Sequence, residues 1–450
     1  MTSILEIPEI EALDGPASLI RIPNQIDVPV TTRLMRLIDS PEFQRLKRIS
    51  QLGMVCFVYP AANHNRFEHS LGVYRNSLLF LRQFAKQPRF ADAISARDAE
   101  LLILAALLHD IGHWPYCHPI EDIELAGLPS HEAFADQYIS RDSIANCLRE
   151  DWNVEPQEVI DIINRRKGTP TQAILSSILS GPIDIDKMDY LYRDSLHAGV
   201  PYGQNFDSLR LIRSLCLNES GDRLAITQKG RTAAELMVFA RYVMFSEVYW
   251  HHAVRSATAM FQRAFYLWYQ QAEQLSESPA DPTALFELSE FEMVAQLRQQ
   301  CGDGPAGKLF AQLFGPTRKL YKRVASYSFN EEEDVYREIA QKPYSWLVNF
   351  SASLTQALSQ QIGESVDEHS ILVDAPPVGL EVQFDVDVFY ERSNSYRKLG
   401  EVSPVVNTLA RQQFDDFVKQ VRIFVDADLL SKISKVDIDG LVRQSIENEQ

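Results

Sequence analysis

Hydrophobic residues recur at helical spacing through most of the first 270 residues of the chain. The run Leu101–Leu108 contains no charged residue, so we predict a helix that is buried on all sides. Ser95, followed by Asp98 three residues later, fits a capping box at the start of this helix. The segments with helical spacing are Phe67–Phe84, Ala99–Leu108, Ala173–Leu179, Met188–Leu196 and Ala233–Tyr269.

The rest of the chain has a mixed pattern. Residues 276–282 combine Ser, Pro, Glu, Ala and Asp, which predicts a surface loop or linker. The elements predicted beyond it are strands at Ile371–Val373 and Val382–Tyr390, a turn at Pro376 and Pro377, and helices at Pro404–Phe424 and Ala427–Ile446. We therefore predict a mainly α fold with two domains. A helical core covers residues 1–270, and a smaller mixed α+β lobe at 271–450 serves oligomerisation or regulation.

Composition narrows the class of protein. A chain of 450 residues with 45% hydrophobic content can bury a large core. No apolar run is long enough to span a bilayer, and the five cysteines form no CxxC pair, so we expect a cytoplasmic protein in a reducing compartment. The net charge of −17 repels polyanions at long range, which makes nucleic acid an unlikely partner.

His109 and Asp110 end the otherwise apolar helix, and this pair is the strongest sign of chemistry in the sequence. Burying two ionisable groups there is costly unless something offsets their desolvation, and a bound metal ion does so directly. Nine of the ten histidines lie between His64 and His252, which places the chemistry in the helical lobe.

A second helix carries an unusual polar face. Asp186, Tyr190 and Asp194 recur at four-residue spacing and share that face, while Met188 and Leu191 indicate that the helix packs. Further upstream, we expect His69 to lie early on a helix, with Arg66 at the mouth of that helix.

The order His69, His109-Asp110, Asp186 resembles the HD-domain phosphohydrolase superfamily. The extended match is similar to the branch of deoxynucleoside triphosphate (dNTP) triphosphohydrolases that includes the vertebrate enzyme with a sterile-alpha-motif domain. It covers residues 20 to 325, so we expect the catalytic part alone, with an HD-domain helical core. The segments that carry it are Phe43–Leu46, Gln51–Gly53, His64–Gly72, His109–His113 and Asp184–Tyr190.

The resemblance implies a metal site and catalytic histidines. The implied ligands are His69, His109, Asp110 and Asp186, a donor set that admits Mg, Mn, Fe, Zn, Co or Ni. His113 and His131 match positions near the α-phosphate, and His118 matches a general acid or base. Glu121 stands where the family has the aspartate that orients this histidine.

The resemblance also implies a pocket for a deoxynucleotide. Arg66 and Lys187 match phosphate contacts, Gln51 and Asp194 would hold the 3′-hydroxyl, and Leu52 would pack on the sugar or base. Tyr190 would close against C2′ and exclude ribonucleotides. The other matching positions that touch the substrate are Arg241, Tyr249 and His251.

A regulatory site is implied as well. In the family an activating nucleotide binds at subunit contacts, so we expect a homo-oligomer, a dimer or a tetramer. Lys47 replaces an arginine of that site and loses its bidentate geometry. The positions with suitable chemistry are Asp39, Gln44, Lys47, Lys229, Arg318 and Lys322.

Other functions stay open at this stage. One is a different HD phosphohydrolase, acting on a nucleoside monophosphate, a cyclic nucleotide or an alarmone. A second is a nucleotide sensor without turnover, and a third is a nucleic-acid binder or nuclease. The sugar-side residues Gln51, Tyr190 and Asp194 favour a deoxynucleotide.

Overall fold

The computed structural model describes residues 3–15, 17–165, 168–275, 283–376, 385–409 and 418–449. Helices dominate the part that precedes residue 276. They are α1 (Pro8–Glu11), α2 (Thr32–Ile38), α3 (Pro41–Arg45), α4 (Arg66–Phe84), α5 (Pro88–Ala93), α6 (Ala96–Leu108), α7 (Cys117–Glu121), α8 (His131–Ile139), α9 (Asp142–Trp152), α10 (Pro156–Ile163), α11 (Pro170–Ser180), α12 (Ile185–Ala198), α13 (Ser208–Ser214), α14 (Arg231–Met244) and α15 (His252–Leu275).

The later part mixes helices with strands. Its helices are α16 (Thr283–Phe286), α17 (Glu290–Cys301), α18 (Pro305–Phe314), α19 (Glu333–Ile339), α20 (Tyr344–Ile362), α21 (Leu399–Val402), α22 (Pro404–Thr408), α23 (Leu430–Ile433) and α24 (Ile438–Glu449). The mainly α fold with a smaller mixed lobe is therefore confirmed.

The strands form small sheets at the edges of the helical core. They are β1 (Ser18–Ile22), β2 (Ile26–Val30), β3 (Leu215–Leu217), β4 (Leu224–Thr227), β5 (Lys322–Tyr327), β6 (Ile371–Asp374), β7 (Asp387–Tyr390), β8 (Ser395–Lys398) and β9 (Val421–Val425). β1 and β2 form an antiparallel pair with Ser18 opposite Val30. One sheet has the order β3-β4-β7-β8, in which β4 and β7 run parallel, and another has the antiparallel order β5-β9-β6.

Three packed helices position the site: α4, α6 and α12. The predicted capping box of α6 is present, since Ser95 and Asp98 exchange hydrogen bonds, and every residue of Leu101–Leu108 is buried. In α12 the Asp184 side chain accepts a hydrogen bond from the Lys187 amide. The helix ends at Gly199, whose φ of 69° is the left-handed conformation that glycine adopts readily.

Hydrophobic side chains form two clusters. The larger one joins the helical part to residues 285–321 and to a few side chains as far along as Phe424. The smaller one begins at Tyr327 and packs α19, α20 and α24 against the β5-β9-β6 sheet. The predicted domain boundary at residue 270 stays a prediction.

Several predicted elements differ from the structure. The single helical pattern at Ala233–Tyr269 divides into α14, a π-helical turn at Phe245–Tyr249, and α15. The predicted helix at Pro404–Phe424 is wrong at its end, where Val421–Val425 is a strand with all five residues buried. Ala427–Ile446 breaks into shorter helices. The predicted linker at 276–282, Pro377, and residues 382–384 of the predicted strand lie outside the described residues.

Candidate active site

The four predicted metal ligands converge from three helices. His69 comes from the first turn of α4, His109 and Asp110 follow the end of α6, and Asp186 lies in the first turn of α12. The Nε2 atoms of His69 and His109 lie 3.3 Å apart. His69 Nε2 is 3.1 Å from Asp186 Oδ1, and His109 Nε2 is 3.4 Å from Asp110 Oδ1.

Each of the two histidines predicted as ligands is held by its other ring nitrogen. His69 Nδ1 lies 2.8 Å from Asp189 Oδ2, and His109 Nδ1 lies 3.0 Å from the carbonyl oxygen of Ala106. A carbonyl oxygen only accepts, so in the neutral ring His109 Nδ1 donates and Nε2 presents a lone pair. Two imidazole lone pairs facing each other beside two carboxylates fit a divalent cation.

Charge around the cluster also favours a cation. Burial alone would lower the pKa of His69, but hydrogen bonds to Asp186 and Asp189 raise it to about 10. Burial opposes ionisation of Asp110, yet its cationic surroundings, including Arg66, hold its pKa well below the ordinary value. The residues thus fit a metal ion, which would replace the proton on His69.

An outer layer of ion pairs supports the metal ligands, and the sequence analysis missed it. Asp189 accepts hydrogen bonds from Arg193 Nε and Nη2 at 2.8 and 2.7 Å while it holds His69. The fully buried Arg193 side chain donates from Nη1 to Glu68 Oε1 at 2.6 Å. A Cβ on Gly72 would lie 1.9 Å from Asp189 Oδ1, so the pair requires a glycine there. The available signal was the i, i+4 spacing of Asp189 and Arg193.

Three further histidines line the cavity beside the metal ligands. The ring centres of His113 and His131 are 4.3 Å apart, and that of His118 is 5.1 Å from that of His113. Glu121 accepts a hydrogen bond from the His131 backbone amide at 2.8 Å and lies 2.9 Å from His131 Nδ1. The distance from Glu121 to His118 Nδ1 is longer, at 3.5 Å, so Glu121 chiefly holds His131.

These contacts shift the pKa values of His131 and His113. Burial would lower the pKa of His131, but the hydrogen bond to Glu121 raises it above the ordinary value. Burial and the nearby Arg66 guanidinium lower the pKa of His113 well below its ordinary value. The pKa values of these two neighbouring, mutually tilted imidazoles are therefore shifted in opposite directions, down at His113 and up at His131.

Two cavities share part of their lining, including one predicted metal ligand, Asp186. The first, of about 630 Å³, is lined by the metal ligands and by His113, His118 and His131. The second, of about 600 Å³, is lined by residues predicted on the sugar and phosphate side, namely Leu52, Lys187, Asp194, Arg241 and Tyr249. The residues that line both are Gln51, Arg66, His118, Arg165, Asp186 and Tyr190.

The sugar-side residues are held in place by one carboxylate. Asp194 Oδ2 accepts a hydrogen bond from the Tyr249 hydroxyl at 2.6 Å, and Oδ1 lies 2.8 Å from His64 Nε2. The Oε1 atom of Gln51 is buried without a hydrogen-bond partner. His251, also predicted at the substrate, does not line either cavity among the described residues and packs its ring edge-on to Tyr59.

In the part of the chain that the structure describes, the predicted regulatory residues are divided between one cavity and the surface outside it. Lys47 and Arg318 line a separate cavity of about 780 Å³, together with Arg48 and Arg298. The others lie outside it. Gln44 accepts a hydrogen bond from Lys47, Asp39 is exposed at the end of α2, Lys229 lies 3.8 Å from Glu391, and Lys322 is exposed on β5.

Comparison with known proteins agrees with this geometry. Residues 66–194 match the HD domain, and residues 206–441 match the HD associated region. The chain therefore belongs to the HD-domain phosphohydrolase family, whose HD domains are metal-dependent. The part of the chain that the structure describes contains no helix long and apolar enough to cross a membrane.

Individual relatives match different shares of the chain. An uncharacterised protein of Methanocaldococcus jannaschii is 32% identical over 85% of this chain and 74% of its own length. The deoxynucleoside triphosphate triphosphohydrolase SAMHD1 of Homo sapiens is also 32% identical, over 52% of this chain and 41% of its own length. A crystal structure of a hypothetical protein from Aquifex aeolicus is 27% identical and covers 96% of this chain and 100% of that chain, with a TM-score of 0.69.

Proposed function

We propose that this protein hydrolyses dNTPs to deoxynucleosides and inorganic triphosphate in a metal-dependent reaction. The observation that carries the proposal is the shared lining of the two cavities. His69, His109 and Asp110 line only the first, Asp194 and Tyr249 line only the second, and Arg66 and Tyr190 line both. A ligand with a polyanionic end and a sugar matches this division. The vertebrate relatives are deoxynucleoside triphosphate triphosphohydrolases, which supports the same substrate class.

At the phosphate end, a bound divalent ion would polarise a phosphoryl oxygen. His69, His109, Asp110 and Asp186 would hold that ion. Arg66 Nη1 donates to Asp110 Oδ2 at 2.8 Å, while its buried Nε has no hydrogen-bond partner. The guanidinium is thus fixed by one bond and retains a donor for an anion, where it stabilises developing charge.

The reaction breaks the bond between the α-phosphorus and the 5′-oxygen and joins a water oxygen to that phosphorus. The departing 5′-oxygen needs a proton. We assign this proton to His131, because Glu121 raises the pKa of His131 and fixes its ring through Nδ1. His113 and His118 line the same cavity and would contact the phosphate. Glu121 acts as a positioning residue.

At the sugar end, Gln51 Oε1 is available to accept a hydrogen bond from the 3′-hydroxyl, with Asp194 beside it. Tyr190 packs against C2′, where an added hydroxyl has neither room nor partner. Burying an unpaired hydroxyl costs roughly 1–3 kcal/mol, which corresponds to about ten- to hundredfold selectivity.

The products provide the test. Purified protein is incubated with Mn²⁺ or Mg²⁺ and each dNTP, and the released phosphate species are separated by ion-exchange chromatography. We expect inorganic triphosphate, and we expect none from His69→Ala or Asp110→Ala. His252→Ala, which removes an exposed histidine outside both cavities, is the matched control and should retain activity. Release of pyrophosphate or monophosphate instead would reject this reaction in favour of another phosphohydrolase activity.

We further propose that a second nucleotide activates the enzyme at the cavity lined by Lys47 and Arg318, within a homo-oligomer. Four cationic side chains on one cavity suit a polyphosphate. Arg318→Ala should then abolish acceleration by dGTP of the hydrolysis of another dNTP, with bound metal retained. Arg337→Ala, an exposed arginine elsewhere, is the control. Hyperbolic kinetics that no added nucleotide changes would reject regulation and leave the hydrolysis itself standing.

A further inference from the structure

A cysteine lies among the three histidines beside the metal ligands. One potential ligand atom each of His113, Cys117, His118 and His131 lies within 4.8 Å of those of the others. Cys117 is buried at the start of α7, and the proposed hydrolysis makes no use of it. The side chains come from a loop, from the first two residues of α7 and from the first residue of α8.

The histidines are oriented as metal ligands usually are. Glu121 lies 2.9 Å from His131 Nδ1, and the Asp110 carbonyl oxygen lies 3.3 Å from His113 Nδ1. Ligating histidines commonly donate their second ring nitrogen to a carboxylate or a carbonyl oxygen in this way. With Nδ1 of both rings committed, a cation would contact Nε2. His131 Nε2 lies 3.6 Å from Glu132 Oε1, a contact that the ion would replace.

The spacing suits a tetrahedral ion after a small adjustment. Zn–N and Zn–S bonds of about 2.0 and 2.3 Å place neighbouring ligand atoms roughly 3.3–3.6 Å apart. The pairs here need to close by at most about 1.5 Å, which side-chain rotation supplies. The His118 side chain is 58% exposed, so an ion can enter from solvent.

We propose that His113, Cys117, His118 and His131 form a second metal site that takes a thiophilic divalent cation such as Zn²⁺. It differs in chemistry from the site of His69, His109, Asp110 and Asp186, which offers only nitrogen and oxygen. A thiolate selects Zn²⁺ over Mg²⁺ and Mn²⁺. On binding, the thiol releases its proton to solvent and sulfur bonds to the ion.

Occupancy of this second site has a consequence for catalysis, and this part rests on the proposed function. The nitrogen atoms that would contact the α-phosphate and the leaving oxygen are the ones that would bind the ion. Zn²⁺ at the second site is therefore an inhibitor, even when the first site holds its own metal. Zinc concentration then sets how much of the protein is active.

Cobalt absorption tests binding without any activity measurement. Metal-free protein is titrated with Co²⁺ alone, and the near-ultraviolet thiolate-to-cobalt charge-transfer band is recorded. We expect this band in the wild type and in His109→Ala, and we expect it to be absent in Cys117→Ser. Cys147→Ser is the matched control. Cys147 is also buried, its thiol donates to the Ser143 carbonyl, and it belongs to no metal-binding group in the described part of the chain. No band in the wild type, or a band that persists in Cys117→Ser, would overturn the second site.

Inhibition is tested separately with Mn²⁺ in the first site. We expect the zinc concentration for half inhibition to rise at least about tenfold in Cys117→Ser, because losing even an outer partner of a metal ligand weakens binding by roughly 10–100-fold. The inhibition of each protein is measured relative to its own activity without zinc. Equal inhibition of the two proteins would reject the inhibitory role. Absence of dNTP hydrolysis from wild type would instead reject the proposed function, and the cobalt band would still decide the site.

Discussion

Asp189 combines two tasks that substitution can separate. Its Oδ2 atom lies 2.8 Å from His69 Nδ1, and both its oxygens accept hydrogen bonds from the buried Arg193. Glu68 performs only one of these tasks, since it binds the same Arg193 at 2.6 Å and has His197, not a metal ligand, as its second partner. Comparing Asp189→Asn with Glu68→Gln isolates the contribution of Asp189 to the metal.

The expected magnitudes follow from these contacts. Breaking a buried ion pair costs about 3–5 kcal/mol. Each variant leaves Arg193 with one of its two carboxylates, so we expect both to lose roughly 3 kcal/mol of unfolding free energy, near the lower end. Only Asp189→Asn also weakens the acceptor on His69. Loss of such a partner costs roughly 10–100-fold in metal affinity, and we expect that loss for Asp189→Asn alone.

Two assays measure the stability and the metal affinity independently. Urea unfolding of metal-free protein gives the stability, and isothermal titration of Mn²⁺ into folded protein gives the affinity. The reasoning is refuted if Glu68→Gln and Asp189→Asn lose metal affinity equally, because the effect would then come from Arg193 and not from His69. A wild-type affinity in Asp189→Asn would refute it as well.

Other predictions concern neighbouring groups. In Gly72→Ala the new methyl group would displace Asp189, so we expect a loss of about 1–3 kcal/mol in urea unfolding, while Gly400→Ala, with nothing within 4 Å, should be neutral. Glu121→Gln should destabilise metal-free protein most between pH 4.5 and 6.5, the ordinary pKa values of the pair. The ion pair raises the pKa of His131, so the stability that the pair contributes is lost as the pH rises through this raised pKa. The pair also lowers the pKa of Glu121, so the same stability is lost in strong acid. A difference between the two proteins that does not vary with pH would contradict this. Tyr190→Ala should raise ATP hydrolysis relative to dATP by about ten- to hundredfold in kcat/KM, and equal use of both by the wild type would exclude the assigned role.

The candidate metal ligands came partly from local pattern and partly from resemblance. The apolar run before His109 and Asp110 pointed to this pair, whereas the resemblance to the HD-domain family added His69 and Asp186. The outer ion pairs form because α4 approaches α12 closely, and Gly72 permits this approach. No local sequence pattern predicts it. The strand at Val421–Val425 was mistaken for a helix because all of its residues except Arg422 are apolar. A short apolar run of this kind is compatible with a buried strand or a buried helix.

Helix α12 sets the distance between the two ends of the pocket. Asp186, a proposed metal ligand, and Asp194, proposed to contact the sugar, are separated by eight residues, which is about 12 Å along a helix. Cap residues fix both ends of that helix, so this length cannot change without unwinding a turn. A single inserted residue would rotate Asp194 by about 100° away from Asp186. Single substitutions can therefore change the side chain at either end of the pocket. The distance between the two ends changes only if the whole helix is rebuilt.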